Sequence, residues 1–454
     1  MEQIETKRDA MDRETFCKAL LEGAKARGCE AAEVFSARQD GFSADVREGD
    51  LQRYAASGAS GAGLRVQVNG RDGYAYTERF AAPETLVARA MENAACIETA
   101  DEHPMQGAQT YAALTRAHSP LAARNAAERI ELAKALEQAT LAADKRVKRV
   151  VHCAVEVTRG DIAIVNTGGL AAAREKESGY CYVEPLVESE SGEVQTGFAF
   201  RMGRDALDVA GCAAEAVRDA LDKLGGKPVP SGDYRILLAP YAMADLLTAF
   251  AGVFSAEQAQ KGCSLLAGRE GEIVAAPCVT LLDDPFDPVA PRAFDGEGTP
   301  TVKKAIVEDG VLKTLLHNLS TAKKAGCVTT GNAVRASAAS GVSVGPTVLR
   351  LVSGADGAEE MRARLHDGLL ITDLQGLHAG LNSVSGDFSL KASGRRIVNG
   401  RDTGAVSGVT LAGSFFAMLR EIEAVGADAR VAMPSGCYCI SPSVLVKKLA
   451  VAGE

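Results

Sequence analysis

The sequence has no His-Glu dipeptide. Its six histidines, His103, His118, His152, His317, His366 and His378, include no two that stand three, four or five residues apart. A catalytic zinc needs three protein ligands and an open position. The helical solution takes two of them as histidines on one helix face, with a glutamate beside the first as general base. This chain therefore has no such helix. It also has no run of about 20 apolar residues, which excludes a membrane-spanning helix. The first residues, Met1 to Arg8, lack the apolar stretch of a secretory signal, and the expected compartment is the cytosol. Cationic excess is missing too. The formal charge of -9 disfavours nucleic acid, whose phosphates require clustered Lys and Arg. Proline is sparse, at 15 residues against 46 glycines, so the glycines imply tight turns and hairpins rather than disorder. Eleven cysteines are an odd and scattered set, unlike a disulfide framework.

What remains is a soluble globular composition, 46% apolar and 24% charged, long enough for two domains of ordinary size. Apolar spacing predicts a helix through Phe16, Leu20 and Ala24, stopped by Gly28. Separate short strands are expected at 33–37, 41–46 and 64–68. Asn69 to Gly73 reads as a turn into a returning strand at 74–77. Gly58 to Gly63 reads as the approach to that hairpin. Helices are expected over 83–98, 122–143 and 207–224, with strands at 147–158, 161–167, 179–187 and 194–202 between the last two.

Gly225 to Gly232 ends the last of these helices and reads as a boundary, giving domains 1–226 and 227–454. The second domain opens with a strand at 234–239 and a helix at 241–254. From residue 272 it turns to strands and glycine-rich turns. A helix over 413–424 and a strand over 443–451 close it. Helices and hairpins interleave without a βαβα rhythm, which argues α+β with largely antiparallel sheets.

The second half carries three loop signatures in order: Phe294-Asp295-Gly296-Glu297-Gly298-Thr299-Pro300, Thr329-Thr330-Gly331-Asn332 and Ser385-Gly386-Asp387-Phe388-Ser389. With Gly63-Leu64-Arg65-Val66 and Gly73-Tyr74-Ala75-Tyr76-Thr77 in the first half, they resemble the TldD/PmbA family over nearly the whole chain. The resemblance implies a two-lobed fold and a link to peptide processing by zinc metalloproteases. Some family members have been called modulators of DNA gyrase. The catalytic TldD-type branch carries a His-Glu-x-x-x-His helix just before the segment that here reads Lys261 to Gly268. In this chain that place holds Tyr241 to Phe250, with one acid and no histidine. The chain thus resembles the PmbA branch, also called TldE, which supplies no zinc ligands.

The resemblance implies no cofactor on this chain and a zinc in a homologous TldD-type partner. The two would form a heterodimer around a peptide substrate, with neither nucleic acid nor membrane involved. The alternative is a stand-alone homodimer that binds peptides or regulates, without protease activity. Asp295, Glu297, Thr330, Gly331, Asn332, Asp387 and Phe388 are the candidate cleft or substrate-binding residues. Turn-forming roles are open for all of them, since Gly, Asn and Asp also serve loop architecture. Asp283, Asp284 and Asp287 read as turn residues in water beside Pro285 and Pro288. Cys437 and Cys439 read as a buried structural pair rather than metal ligands, because two thiolates alone do not close a zinc site.

Overall fold

The computed structural model describes residues 11–98, 103–114, 119–202 and 207–454. The first half begins with helix α1 (Arg13–Ala26), capped by the Asp12 carboxylate, which accepts from Thr15 N at 3.0 Å. Three strands follow, β1 (Ala31–Arg47), β2 (Asp50–Val68) and β3 (Arg71–Thr77). Next come α2 (Pro83–Ala95), α3 (Pro120–Ala123) and α4 (Ala126–Ala143). Strands β4 (Val147–Asn166), β5 (Ala171–Glu188), β6 (Val194–Thr196) and β7 (Ala199–Met202) lead to α5 (Val209–Asp222).

The strands form one antiparallel sheet in the order β3-β2-β1-β4-β5-β6, with β7 also on β5. Alternation of side chains gives it two faces. One face packs on α1 and α2 through Phe16, Leu20, Leu64 and Val87, and on α4 and α5 through Leu136, Cys212, Val155 and Val183. The other face takes Phe294 and Ala338 of the second half against Phe35, Ile162 and Ile164.

The strands are longer than the sequence reading gave. The segments 33–37 and 41–46 are one strand, as are 147–158 and 161–167. Gly160, in the gap between the latter two segments, pairs with Gln39 in mid-ladder. A Cβ there would stand 2.2 Å from the Arg38 carbonyl oxygen, so this glycine permits close approach of two strands. Gly58 to Gly63 likewise lies inside β2, paired residue by residue with β1. The segment 194–202 divides into β6 and β7.

The second half runs β8 (Gly232–Leu238), α6 (Pro240–Ala249), α7 (Ala256–Gln260), β9 (Leu281–Asp283), β10 (Lys304–Glu308), β11 (Val311–Leu312) and α8 (Leu319–Ala325). It continues with β12 (Ala333–Val334), β13 (Ser343–Val344), β14 (Val348–Leu351), α9 (Ala358–Leu365) and β15 (Gly368–Gln375). Strands β16 (Asp387–Val398) and β17 (Arg401–Ser414) precede α10 (Phe415–Arg420), and β18 (Ile422–Val425), β19 (Arg430–Val431), β20 (Tyr438–Ser441) and β21 (Val444–Ala452) finish it.

Two sheets dominate here. One has the order β11-β10-β9-β14-β20-β19. The other has the order β17-β16-β15-β8-β21-β18, with a further β17–β21 pairing that closes β17, β16, β15, β8 and β21 into a ring. Pairing is antiparallel except for β8–β15 and β14–β20. Helix α6 buries Met243, Leu246 and Leu247 in the large core that the two sheets share with Phe250, Phe254 and Phe415. The architecture is α+β with largely antiparallel sheets. The helix expected over 413–424 is only the six residues of α10, and Ile422 instead opens β18, which pairs with β21.

Candidate functional site

Five of the seven candidate residues meet in one buried junction of loops. Asp295 is fully buried. Its Oδ1 accepts from Glu297 N and Thr299 N, each at 2.9 Å, and its Oδ2 accepts from Ala333 N at 3.0 Å. Burial raises its pKa, against the pull of those three amides. Glu297 is buried beside it, and its Oε2 accepts from Leu319 N at 2.9 Å, at the start of α8. Burial first, and then the Asp295 charge, push Glu297 up to about 8.

The Thr329-Thr330-Gly331-Asn332 turn closes over this loop. Gly331 sits at φ 69°, and a Cβ there would stand 2.8 Å from the Pro300 carbonyl oxygen. Thr330 Oγ1 accepts from His317 N at 2.6 Å and lies 2.8 Å from Asn332 Oδ1. The Asn332 Oδ1 also accepts from Lys304 Nζ at 3.0 Å, and its Nδ2 donates to Asp283 Oδ2 at 2.7 Å and to the Gly345 carbonyl at 3.1 Å. All hydrogen-bonding positions of the Asn332 amide are thereby in use.

Asp283 corrects the sequence reading. It was assigned to a solvated turn, yet it is fully buried: Oδ1 accepts from Thr347 N at 2.7 Å, and Oδ2 pairs with Lys304 Nζ at 2.9 Å. Asp284 and Asp287 are buried as well, the first paired with Lys303 at 2.7 Å and the second with Arg350. Local polarity suggested water, but the covering strand β14 arrives more than 60 residues later. Lys304 and His317 were also missed, because a lone basic residue beside a strand carries no signal of its own.

Asp387 and Phe388 share no hydrogen bond with this junction. They start β16, where Asp387 Oδ2 accepts from Ser385 Oγ at 2.7 Å and Phe388 is buried in the large core. The run Gly341-Val342-Ser343-Val344-Gly345 fits a nucleophile-elbow spelling, but Ser343 lies in the short β12–β13 hairpin and not at a strand-to-helix turn.

A second region brings α6 against β20. Asp245 on α6 is pushed up to about 6 by burial first and by Asp373 second. Cys439 is buried in the large core, and Cys437 packs against it. Burial, then Asp283, push the Cys437 thiol up to about 11. Burial raises Cys439 further, with Cys437 and Asp245 adding to it. Without a metal, burial keeps both thiols in the protonated form, the wrong state for attack. Among the described residues no group of three or more His, Cys, Asp or Glu is arranged to hold a metal ion. The donors at this place, one carboxyl group and two thiols with no imidazole, are not brought together as the three or four ligands a zinc site takes.

Three family models match in sequence order: PmbA/TldA metallopeptidase domain 1 over residues 32–94, the central domain over 119–224 and the C-terminal domain over 231–453. The chain is 25% identical to Metalloprotease PmbA of Escherichia coli O157:H7, with 100% of this chain and 98% of that protein covered. It is 27% identical to the Metalloprotease TldD homolog of Haemophilus influenzae, covering 69% of this chain and 67% of the relative. A crystal structure from Thermotoga maritima MSB8, named as a modulator of a DNA gyrase, superposes with a TM-score of 0.90 at 31% identity, covering 97% of this chain and 100% of that one. TldE from Thermococcus kodakarensis shares the fold at a TM-score of 0.88 and 24% identity, covering 96% and 100%.

Proposed function

This chain belongs to the PmbA/TldD metallopeptidase family, and we propose that it serves there as the PmbA-type subunit of a two-chain cytoplasmic zinc metallopeptidase. A homologous TldD-type chain holds the zinc, and this chain supplies part of the enclosing wall and of the peptide-binding surface. The substrates are flexible peptides, and neither nucleic acid nor membrane takes part.

The observation that carries the reading is the character of α6. By resemblance this is the zinc-bearing helix of the catalytic branch. Here it presents Tyr241, Asp245 and Thr248 and no imidazole. The facing Cys439 thiol is held neutral in the core. A site that must ionise a bound water needs a metal, and this helix carries no imidazole to hold one. Two similar folds paired about a pseudo-two-fold axis can enclose a chamber that admits unfolded chains and excludes folded ones.

The test is a non-denaturing affinity purification of the tagged chain from its own host, read by mass spectrometry. A stoichiometric partner carrying His-Glu-x-x-x-His is the expected result. Recovery of a lone homodimer, with no such partner at any tag position, would replace this reading by a binding or regulatory one.

A further inference from the structure

Strand β5 turns its even-numbered side chains toward the second half of the chain. Two of them are Arg174 and Lys176. The Arg174 guanidinium lies over the Phe294 ring, 5.7 Å from its centroid. Arg292, two residues before Phe294, comes to the same place from the loop after β9, held by its N–H to the Pro285 carbonyl at 2.7 Å. The three cations stand close enough to act on one another. Burial first, and then their mutual repulsion, lower Arg174 to about 9 and lower Lys176 as well. Arg292 is lowered by burial. A guanidinium at neutral pH cannot relieve such crowding by losing its proton. It needs an anion.

Among the described residues no carboxylate is paired with Arg174 or Lys176. The acids whose charges reach Arg174 and Arg292 are Asp295 and Asp283, and each is committed elsewhere. Asp295 holds three backbone amides, and Asp283 holds two amides, Lys304 and Asn332. Among the described residues Lys176 Nζ donates to the neutral Gln39 Oε1, at 2.6 Å. The Arg174 Nε is buried without a hydrogen-bond partner among the described residues. The Arg292 guanidinium feels the charges of Asp283 and Asp295, which do not offset its burial. Buried donors in native proteins are almost always paired, so the unpartnered Arg174 Nε, with two further cations beside it, marks a place for an anionic ligand.

The same face continues from the cations as an aromatic strip. Tyr180 and Tyr182 follow on β5, with centroids 6.4 Å apart. Phe198 stands 6.0 Å from Tyr182, Phe200 6.3 Å from Phe198, and Tyr241, at the start of α6, 5.9 Å from Phe200. Phe198 is exposed and Tyr180, Tyr182 and Tyr241 are half-buried, over a buried Phe200; such a surface contacts an extended chain without demanding a sequence, while a cationic end fixes where that chain stops. A planar guanidinium matches a carboxylate through paired N–H donors.

We propose that Arg174, Lys176 and Arg292 form a carboxylate-binding station that receives the C-terminal carboxylate of a peptide laid along the Tyr180-to-Tyr241 strip. This deepens the peptide-handling reading above and rests on it. It makes the station a length gauge measured from the peptide's end.

The test uses the full chain with whatever homologous subunit it carries, and three fluorescent peptides built of Gly, Ala and Ser. One is a free acid, one the C-terminal amide, and one the amide with a single Glu at its last position. Anisotropy titrations should show the free acid binding about tenfold more tightly than the plain amide, the scale of a charge-assisted hydrogen-bond pair. The ratio should fall toward one in Lys176→Gln and Arg174→Gln, with the amide's affinity unchanged in both. Lys176 is half-exposed, so that variant tests the proposal even where an Arg174 substitution disturbs folding. Equal binding of acid and amide overturns the station and leaves the peptide reading standing. A Glu-terminated amide that binds as well as the free acid overturns recognition of the chain end. Failure of all three peptides to bind overturns both readings together.

Discussion

Asn332 donates its side-chain N–H to Oδ2 of Asp283 at 2.7 Å, across 49 residues of chain. The two are buried at 1% and 0% exposure, and Lys304 bridges them, 3.0 Å from one and 2.9 Å from the other. This contact ties the Thr330-Gly331-Asn332 turn to the end of β9. Truncation by Asn332→Ala strands one acceptor on Asp283 and removes one from Lys304. It should cost about 1–3 kcal/mol, read as a lower urea midpoint with an unchanged slope. A midpoint within error of wild type would show that the contact contributes nothing.

The two halves of the chain are joined by a buried ion pair. Arg335 Nη2 lies 2.9 Å from Glu33 Oε1, and the side chains are 3% and 0% exposed. The same guanidinium sits 4.7 Å over the Phe35 ring. Glu33→Ala leaves Arg335 buried beside Arg65 with its near anion gone. Loss of one partner of a buried pair costs about 3–5 kcal/mol. The expected result is a large drop in stability, together with earlier proteolytic cutting between the halves. Glu33→Gln, which keeps the shape, should still lose much of this.

Glu297 gives the fold a pH dependence whose sign follows from its shift. Its pKa rises from 4.5 in the free residue to about 8 in the folded chain. Between these values the folded state holds a proton that the unfolded state has released. Stability from this group is therefore complete below about pH 4.5 and is lost as pH rises through about 8. Melting temperature should fall over that window, and Glu297→Gln should flatten the fall while keeping the acceptor for Leu319 N. An identical slope in the variant would assign the dependence to other groups.

Thiol reactivity separates a structural from a chemical role for the C-terminal cysteines. Cys96, Cys278 and Cys327 are exposed, whereas Cys439 is buried and Cys437 is raised to about 11 by burial and Asp283. Alkylation at pH 8 followed by peptide mapping should label Cys96 and Cys327 in minutes, and Cys437 and Cys439 only after denaturation. Rapid labelling of Cys437 in the native chain would reopen a metal or redox role for the pair.

Much of this architecture could be read from the sequence, because helix α1, the β2–β3 hairpin at Asn69-Gly70 and the final strand β21 each follow from local apolar spacing and turn chemistry. The long strands were cut short in that reading, because glycine is both a turn former and the residue that lets two backbones approach, as at Gly160. Asp295 and Asn332 stood out through their loop signatures, but what they hold is tertiary. Asp283 and Lys304 converge on Asn332, and the Ala333 amide on Asp295, from distant parts of the chain. The cationic group on β5 was invisible for a related reason. Arg174 and Lys176 alternate with Glu175 and Glu177, so the strand looks balanced in sequence. Only the pleat, with Arg292 brought in from another loop, puts the positive charges on one face.

The central claim is that this chain contributes surface and not zinc chemistry. The most direct measurement is metal content and peptidase activity of the purified chain, alone and after mixing with a homologue bearing His-Glu-x-x-x-His. The account predicts no stoichiometric zinc and no cleavage for the chain alone. For the pair it predicts about one zinc and chelator-sensitive cleavage of a flexible peptide. One zinc bound per chain in the absence of any partner, with cleavage abolished by a chelator and restored by zinc, would contradict it.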